Sequence, residues 1–145
     1  MIGLLQRVSR ARVEVQSRNI AQINTGMLVF IGVEKDDTQA KADRLLERLL
    51  GYRIFPDANG RMNLSLMDIQ GGLLLVPQFT LPADTKKGMR PGFSNAAAPE
   101  SGRLLFDYLL SRAKSRHPYV ESGEFGADMQ VHLINDGPVT FWLKT

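Results

Sequence analysis

Two uninterrupted apolar runs, Met27–Ile31 and Leu73–Val76, constrain this chain more than any other feature. A strand with one wet face alternates apolar and polar residues, so a run without alternation belongs to a strand covered on both sides. Each run is therefore predicted to be a buried strand, with Met27–Ile31 at the centre of its sheet. At 145 residues, 43% of them apolar, the chain is long enough to cover such strands within one domain spanning residues 1–145.

The remaining segments are placed around these two. Residues 1–15 alternate through Val8, Ala11, Val13 and Val15, and Ser17, Arg18 and Asn19 supply a turn before Ile20–Ile23, which predicts an opening hairpin. Asp36, Asp37 and Thr38 offer capping groups for a helix with Ala42, Leu45, Leu46 and Leu49 inside, ending near Gly51 or Tyr52. Pro56–Gly60 is a loop, and Met62–Leu66 is read as a short extended piece. Pro99 and Glu100 suit the first turn of a second helix with Leu104, Leu105, Tyr108 and Leu109 on one face, stopped by His117 and Pro118. Between them, Pro82–Pro99 is irregular and longer than most connections, which favours a packed, functional loop. A strand starting at Tyr119 and Val120 follows. Asn135, Asp136 and Gly137, lying between the alternating runs Met129–Ile134 and Val139–Leu143, predict a closing hairpin. The expected fold is mixed α/β, with strongly curved, partly barrel-like sheets and two amphipathic helices packed on one side.

Several classes of chemistry are excluded by composition. Without cysteine there is no disulfide scaffold, thiolate zinc site or cysteine nucleophile, and the expected setting is cytoplasmic. Arg7, Arg10 and Arg12 break the N-terminal apolar residues, so neither a signal-peptide core nor a membrane span is expected there. A net charge of +3 tolerates a polyanionic partner without requiring one. Lys86, Lys87 and Arg90 crowd one loop and are the local candidates for gripping phosphates, the alternative being a solvated loop with incidental charge. His117 and His132 lack partners in the sequence and are read as structural, and neither a metal site nor an organic cofactor is expected.

Two stretches remain. Gln78, Phe79 and Thr80 end the second apolar strand, where backbone N–H groups and a hydroxyl could stabilise an oxyanion; a plain strand terminus is the alternative. Gly137–Pro138 presents carbonyls that could recognise a ligand, or Pro138 merely begins an edge strand.

The motifs Gln78-Phe79-Thr80-Leu81, Gly88-Met89-Arg90-Pro91 with Phe93 and Ser94, and Asn135-Asp136-Gly137-Pro138-Val139-Thr140, with the opening Gln6-Arg7-Val8, resemble those of the bacterial D-aminoacyl-tRNA deacylases (the D-tyrosyl-tRNA(Tyr) deacylase family) over the entire length. The resemblance implies hydrolysis of the ester between a D-amino acid and the terminal ribose of tRNA, by a homodimer. It implies a cis Gly137–Pro138 bond, held with the help of Arg7 and reaching into the partner subunit's site, where its carbonyls face the substrate ammonium and exclude L side chains. Glycyl-tRNA, as on mischarged tRNA(Ala), is the implied secondary substrate, because glycine has no side chain to exclude. The backbone amides of Phe79 and Thr80 are implied at the substrate carbonyl, with the ribose hydroxyl assisting in place of a Thr80 nucleophile. Gln78, Met129 and Phe93 match pocket-lining positions. Pro77 stands where the family usually has serine, so a mechanism needing that hydroxyl or N–H does not carry over. A noncatalytic RNA-binding module using Lys86, Lys87 and Arg90, and a hydrolase of free D-amino-acid esters, are the alternatives.

Overall fold

The computed structural model describes residues 1–145. Strand β1 (Ile2–Val15) is the spine, and β2 (Arg18–Ile23) returns from it antiparallel. The reversal closes one residue earlier than predicted, at Gln16 and Ser17, both with positive φ. Strand β3 (Gly26–Gly32) pairs with the first half of β1, so β2 and β3 share one edge of it. Helix α1 (Gln39–Gly51) follows, with the Thr38 side chain accepting from Lys41 N–H at its start. A small ladder joins β4 (Phe55–Pro56) to β5 (Met62–Leu64). The extended piece expected through Leu66 stops there, because Ser65 and Asp68 form a reciprocal capping box that starts a four-residue helix, α2 (Leu66–Ile69).

Strand β6 (Gly72–Pro77) joins β3 in parallel and places β3 between β1 and β6, as its unbroken apolar run requires. Helix α3 (Pro99–Arg116) has Pro99 in its first turn, and β7 (Val120–Ser122) extends the sheet beside β6. Of the residues predicted for the apolar face of α3, Leu109 is buried and Leu105 and Tyr108 pack half-buried against the core, but Leu104 is corrected: it is 67% exposed, and Gly102, Phe106 and Ala113 complete the buried stripe. The edge of the Phe125 ring lies close above Gly102, where a Cβ would come within 3.3 Å of it, so this face turns inward.

The last strand overturns a second expectation. Residues 130–144 do not form a hairpin; they are one strand, β8 (Gln130–Lys144), antiparallel to β1 along its full length. Gln6 pairs with Thr140 and Val8 with Asn135, so two steps on β1 face five on β8, and the intervening residues of β8 bulge out opposite Arg7. Asn, Asp and Gly here shape a bulge instead of a reversal, because a 14-residue β1 is long enough to pair with both flanking runs.

Two cores result. On one face Leu45, Leu46, Leu49 and Leu50 of α1, with Phe106 and Leu109 of α3, cover Leu5, Met27, Val29, Ile31, Leu73 and Leu75. Each such fully buried side chain contributes ~1.5–3 kcal/mol of transfer free energy, which pins both helices to this face. On the other face the sheet curls over itself, and Val8, Ala11, Val13, Ala21 and Ile23 close on Leu28, Leu74 and Val76. The expected curved, partly barrel-like mixed α/β architecture with its two main helices on one side is what forms. No helix is long and apolar enough to cross a membrane.

Candidate functional site

The turn after β6 is built by three backbone bonds. Gln78 N–H donates to Ile31 O at 2.8 Å, Leu81 N–H to Gln78 O at 3.3 Å, and Ala83 N–H to Thr80 O at 3.1 Å. Between them, Phe79 N–H and Thr80 N–H donate to no protein acceptor. Both residues are exposed, so two adjacent donors face solvent on a turn tied down at each end. Gly32 permits this geometry: a Cβ there would fall 2.8 Å from Leu81 Cβ and 2.9 Å from Pro82 Cδ, so any larger residue would push the turn away. Pro77 ends β6 opposite Ile31 of β3, and on its other side the chain leaving β7 still runs alongside, with Gly123 N–H donating to Leu75 O at 2.9 Å.

Thr80 Oγ1 lies 2.6 Å from Gln78 Nε2 and accepts its proton. An amide cannot remove a proton from a hydroxyl, so this contact orients Thr80 without activating it. Phe79, 62% exposed, packs its ring at 5.3 Å from that of Phe93, forming an aromatic ledge beside the free amides. Met129 reaches the same region: a Cβ on Gly123 would meet Met129 Sδ at 2.8 Å and Pro77 Cδ at 3.4 Å, which places both beside this glycine. Lys86, Lys87 and Arg90 occupy the exposed tip of a loop closed by reciprocal backbone bonds between Asp84 and Gly92, and none of the three forms an ion pair.

The β8 bulge forms a second group. The Gly137–Pro138 bond is cis, and Gly137 has φ +148, where a Cβ would lie 2.6 Å from Val139 Cγ2. Arg7, only 11% exposed, donates from Nε to Asp136 O at 2.8 Å and from Nη1 to Ile54 O at 2.7 Å, linking the bulge to the segment after α1. The sequence offered Asn135 as a turn residue and as part of a motif; in the structure its Oδ1 accepts from Val139 N–H at 2.7 Å and its Nδ2 donates to Val139 O and Thr140 Oγ1. Gln6 Nε2 completes the set at 3.2 Å from Thr140 Oγ1. These side-chain bonds replace the ladder bonds that the bulge interrupts, and the spacing Asn-x-x-x-Val-Thr was their only trace in the sequence.

Within one chain the two groups stay apart. Gly137–Pro138 lies opposite Arg7, whose β3 partner is Met27, whereas Gln78 lies beside Ile31. Three strand spacings of ~4.8 Å and about four or five residues of ~3.3 Å rise separate them, on the order of 20 Å. Four surface concavities have volumes from about 280 to 460 Å³, and none is lined by Gln78, Phe79 or Thr80. His117 is buried with Nε2 2.6 Å from Gly71 O, and His132 lies beside Glu14; neither adjoins the turn. No three His, Asp or Glu side chains converge as a metal would need.

The chain is similar over its length to known proteins. A D-aminoacyl-tRNA deacylase of Pseudomonas fluorescens is 65% identical over 145 residues, covering both chains fully, and one of Alkalilimnicola ehrlichii is 62% identical over 99% of this chain and 96% of its own. A solved c-Myc DNA unwinding element binding protein is 36% identical, with a TM-score of 0.95 over 100% of this chain and 99% of that one. A solved probable eukaryotic D-amino acid tRNA deacylase, 20% identical with a TM-score of 0.85 over 99% and 98% of the two chains, shares the fold. The D-Tyr-tRNA(Tyr) deacylase family profile matches residues 4–144, and the chain belongs to that family.

Proposed function

We propose that this D-aminoacyl-tRNA deacylase cleaves its ester with backbone groups alone and selects the D configuration by exclusion, in a site completed by a second copy of the chain. The substrate carbonyl sits against Phe79 N–H and Thr80 N–H, which donate to its oxygen and stabilise the charge that develops there as water, assisted by the neighbouring ribose hydroxyl, attacks the carbonyl carbon and the ester oxygen leaves with a proton as the free ribose hydroxyl. Gly137 and Pro138 carbonyls of the partner subunit receive the ammonium group, leaving an L side chain facing backbone and a D side chain facing open space. Glycyl-tRNA passes the same filter. Gln78, Phe93 and Met129 line the acyl end, and Lys86, Lys87 and Arg90 hold the tRNA.

The observation that carries this reading is the distance between two complementary half-sites on one chain: free donors on the β6 turn, and a rigid, exposed Gly137–Pro138 bulge too far away to serve them. An edge strand with Phe141 and Trp142 36% and 51% exposed suits a second copy. The binding-module alternative gains nothing from free amides with no backbone acceptor.

Subunit mixing tests the arrangement. Phe79→Pro removes one donor and Gly137→Ala distorts the bulge, so each alone should hydrolyse D-tyrosyl-tRNA poorly. Mixed and allowed to exchange, they form heterodimers with one fully wild-type site, and activity should return. No recovery in a mixture shown to contain heterodimers would rule out a shared site.

A further inference from the structure

Beyond the bulge, the outward face of β2, β1 and β8 forms a groove of about 460 Å³ with Arg10, Arg12 and His132 along it and the amides of Gln22 and Asn24 at its side. Arg10 is exposed and has no hydrogen-bonded or ionic partner. Arg12 Nε is held by Glu14 Oε1 at 2.8 Å, and its Nη2 lies 3.4 Å from His132 Nδ1. Nη1 of Arg12 has no protein partner, and Arg12 lines the groove. Glu14 is the one acid facing this set, through Arg12 and through His132 Nε2 at 3.5 Å. Two guanidinium groups against one carboxylate leave the groove cationic, and the amides add neutral donors. That donor set suits a phosphodiester oxygen better than a carbonyl or a cation.

Its position says whose phosphate. Arg10 pairs with Ile134 across the strands, and Pro138 is four positions beyond Ile134, at most ~14 Å of chain. We propose that this groove holds a backbone phosphate of the substrate tRNA, close to its aminoacylated 3′ end. The inference rests on the shared-site reading above: the Gly137–Pro138 bulge that meets the acyl group in the partner's site brings the Arg10 groove of its own subunit alongside the same tRNA strand. The substrate is then held from both subunits, by the Lys86–Arg90 loop of one and the Arg10 groove of the other.

The test uses Arg10→Glu and Arg12→Gln, with Lys114→Glu on exposed α3 as a control that makes the same charge change as Arg10→Glu at a distance. Three readouts are taken: KM for D-tyrosyl-tRNA, the rate on D-tyrosyl-adenosine, which lacks the tRNA body, and the salt dependence of uncharged tRNA binding. Arg10→Glu should raise KM for the tRNA roughly tenfold, the loss of about one charge-assisted hydrogen bond, and make the salt slope shallower by about one. Rates on D-tyrosyl-adenosine should be unchanged. The proposal is overturned if Arg10→Glu leaves KM and salt slope at wild-type values, if Lys114→Glu matches its effect, or if D-tyrosyl-adenosine suffers equally. Failure of wild type to cleave either ester would instead sink the deacylase reading, while tRNA binding would still report on the groove.

Discussion

Replacing Arg7 by alanine removes the clamp that joins the Gly137–Pro138 bulge to the body of the protein. Two carbonyls lose their donor, Asp136 O at 2.8 Å and Ile54 O at 2.7 Å. A hydrogen bond from a charged group contributes ~1.5–3 kcal/mol, and the exposed Asp136 O can recover part of that from water. The ion pair with Asp136, itself 55% exposed, adds little. The sum is ~2–4 kcal/mol, a fall in Tm of roughly 5–10 °C for a chain of this size. Asn135 still bridges Val139, so the bulge loosens without dissolving. If the bulge is what rejects L side chains, the ratio of D- to L-tyrosyl-tRNA hydrolysis should fall at least tenfold, since ~1.4 kcal/mol is already a factor of ten. Arg7→Lys should recover little, because one ammonium on a flexible stem cannot serve both carbonyls. Initial rates on the two esters, with Tm measured alongside, decide it: a lowered Tm with an unchanged D-to-L ratio would make Arg7 a purely structural residue and refute the argument.

Other consequences are simpler to state. Gly32→Ala drives a methyl group into Leu81 and Pro82 and should reduce stability by ~1–3 kcal/mol while lowering kcat, because the turn carrying Phe79 N–H is displaced; thermal melts and single-turnover rates check both. The Asp68 carboxyl is held below its usual value of 3.8 by the Ser65 hydroxyl and then by Ser65 N–H. Its stabilisation is therefore complete above about pH 4 and fades as pH falls through the lowered pKa, so denaturation midpoints of wild type and Asp68→Asn should differ near neutrality and converge in acid. Alanine at Lys86, Lys87 or Arg90 should each reduce the salt slope of tRNA binding by up to about one without altering the D-to-L ratio.

What the sequence disclosed followed from local rules. Met27–Ile31 had no polar residue to turn outward and became an interior strand, and Thr38 and Pro99 marked both helix starts. On α3 Leu105, Tyr108 and Leu109 turn inward as read, and only Leu104 was misplaced, because Leu104 and Phe106 are equally apolar and the closeness of Phe125 to Gly102 decides which of them is covered. Asn-Asp-Gly between alternating runs is the signature of a hairpin, and nothing nearby reveals that β1 is long enough to pair with both runs. The site divides in the same way. Gln78, Phe79 and Thr80 were legible as a strand end, but their free N–H groups depend on Ile31 and Leu81, and the anchoring of Arg7 depends on Ile54, 47 positions away. Asn135 was read as a turn residue because its hydrogen bonds to Val139 and Thr140 have meaning only once the bulge exists.

The most direct test of catalysis by backbone amides behind an excluding bulge is the hydrolysis of matched D- and L-tyrosyl-tRNA by wild type and by Thr80→Ala. With Thr80 Oγ1 held by Gln78 and no base beside it, the variant should keep most of its activity on the D ester, and neither protein should cleave the L ester. Loss of all D activity in a folded Thr80→Ala, or comparable rates on the two enantiomers with wild type, would contradict it.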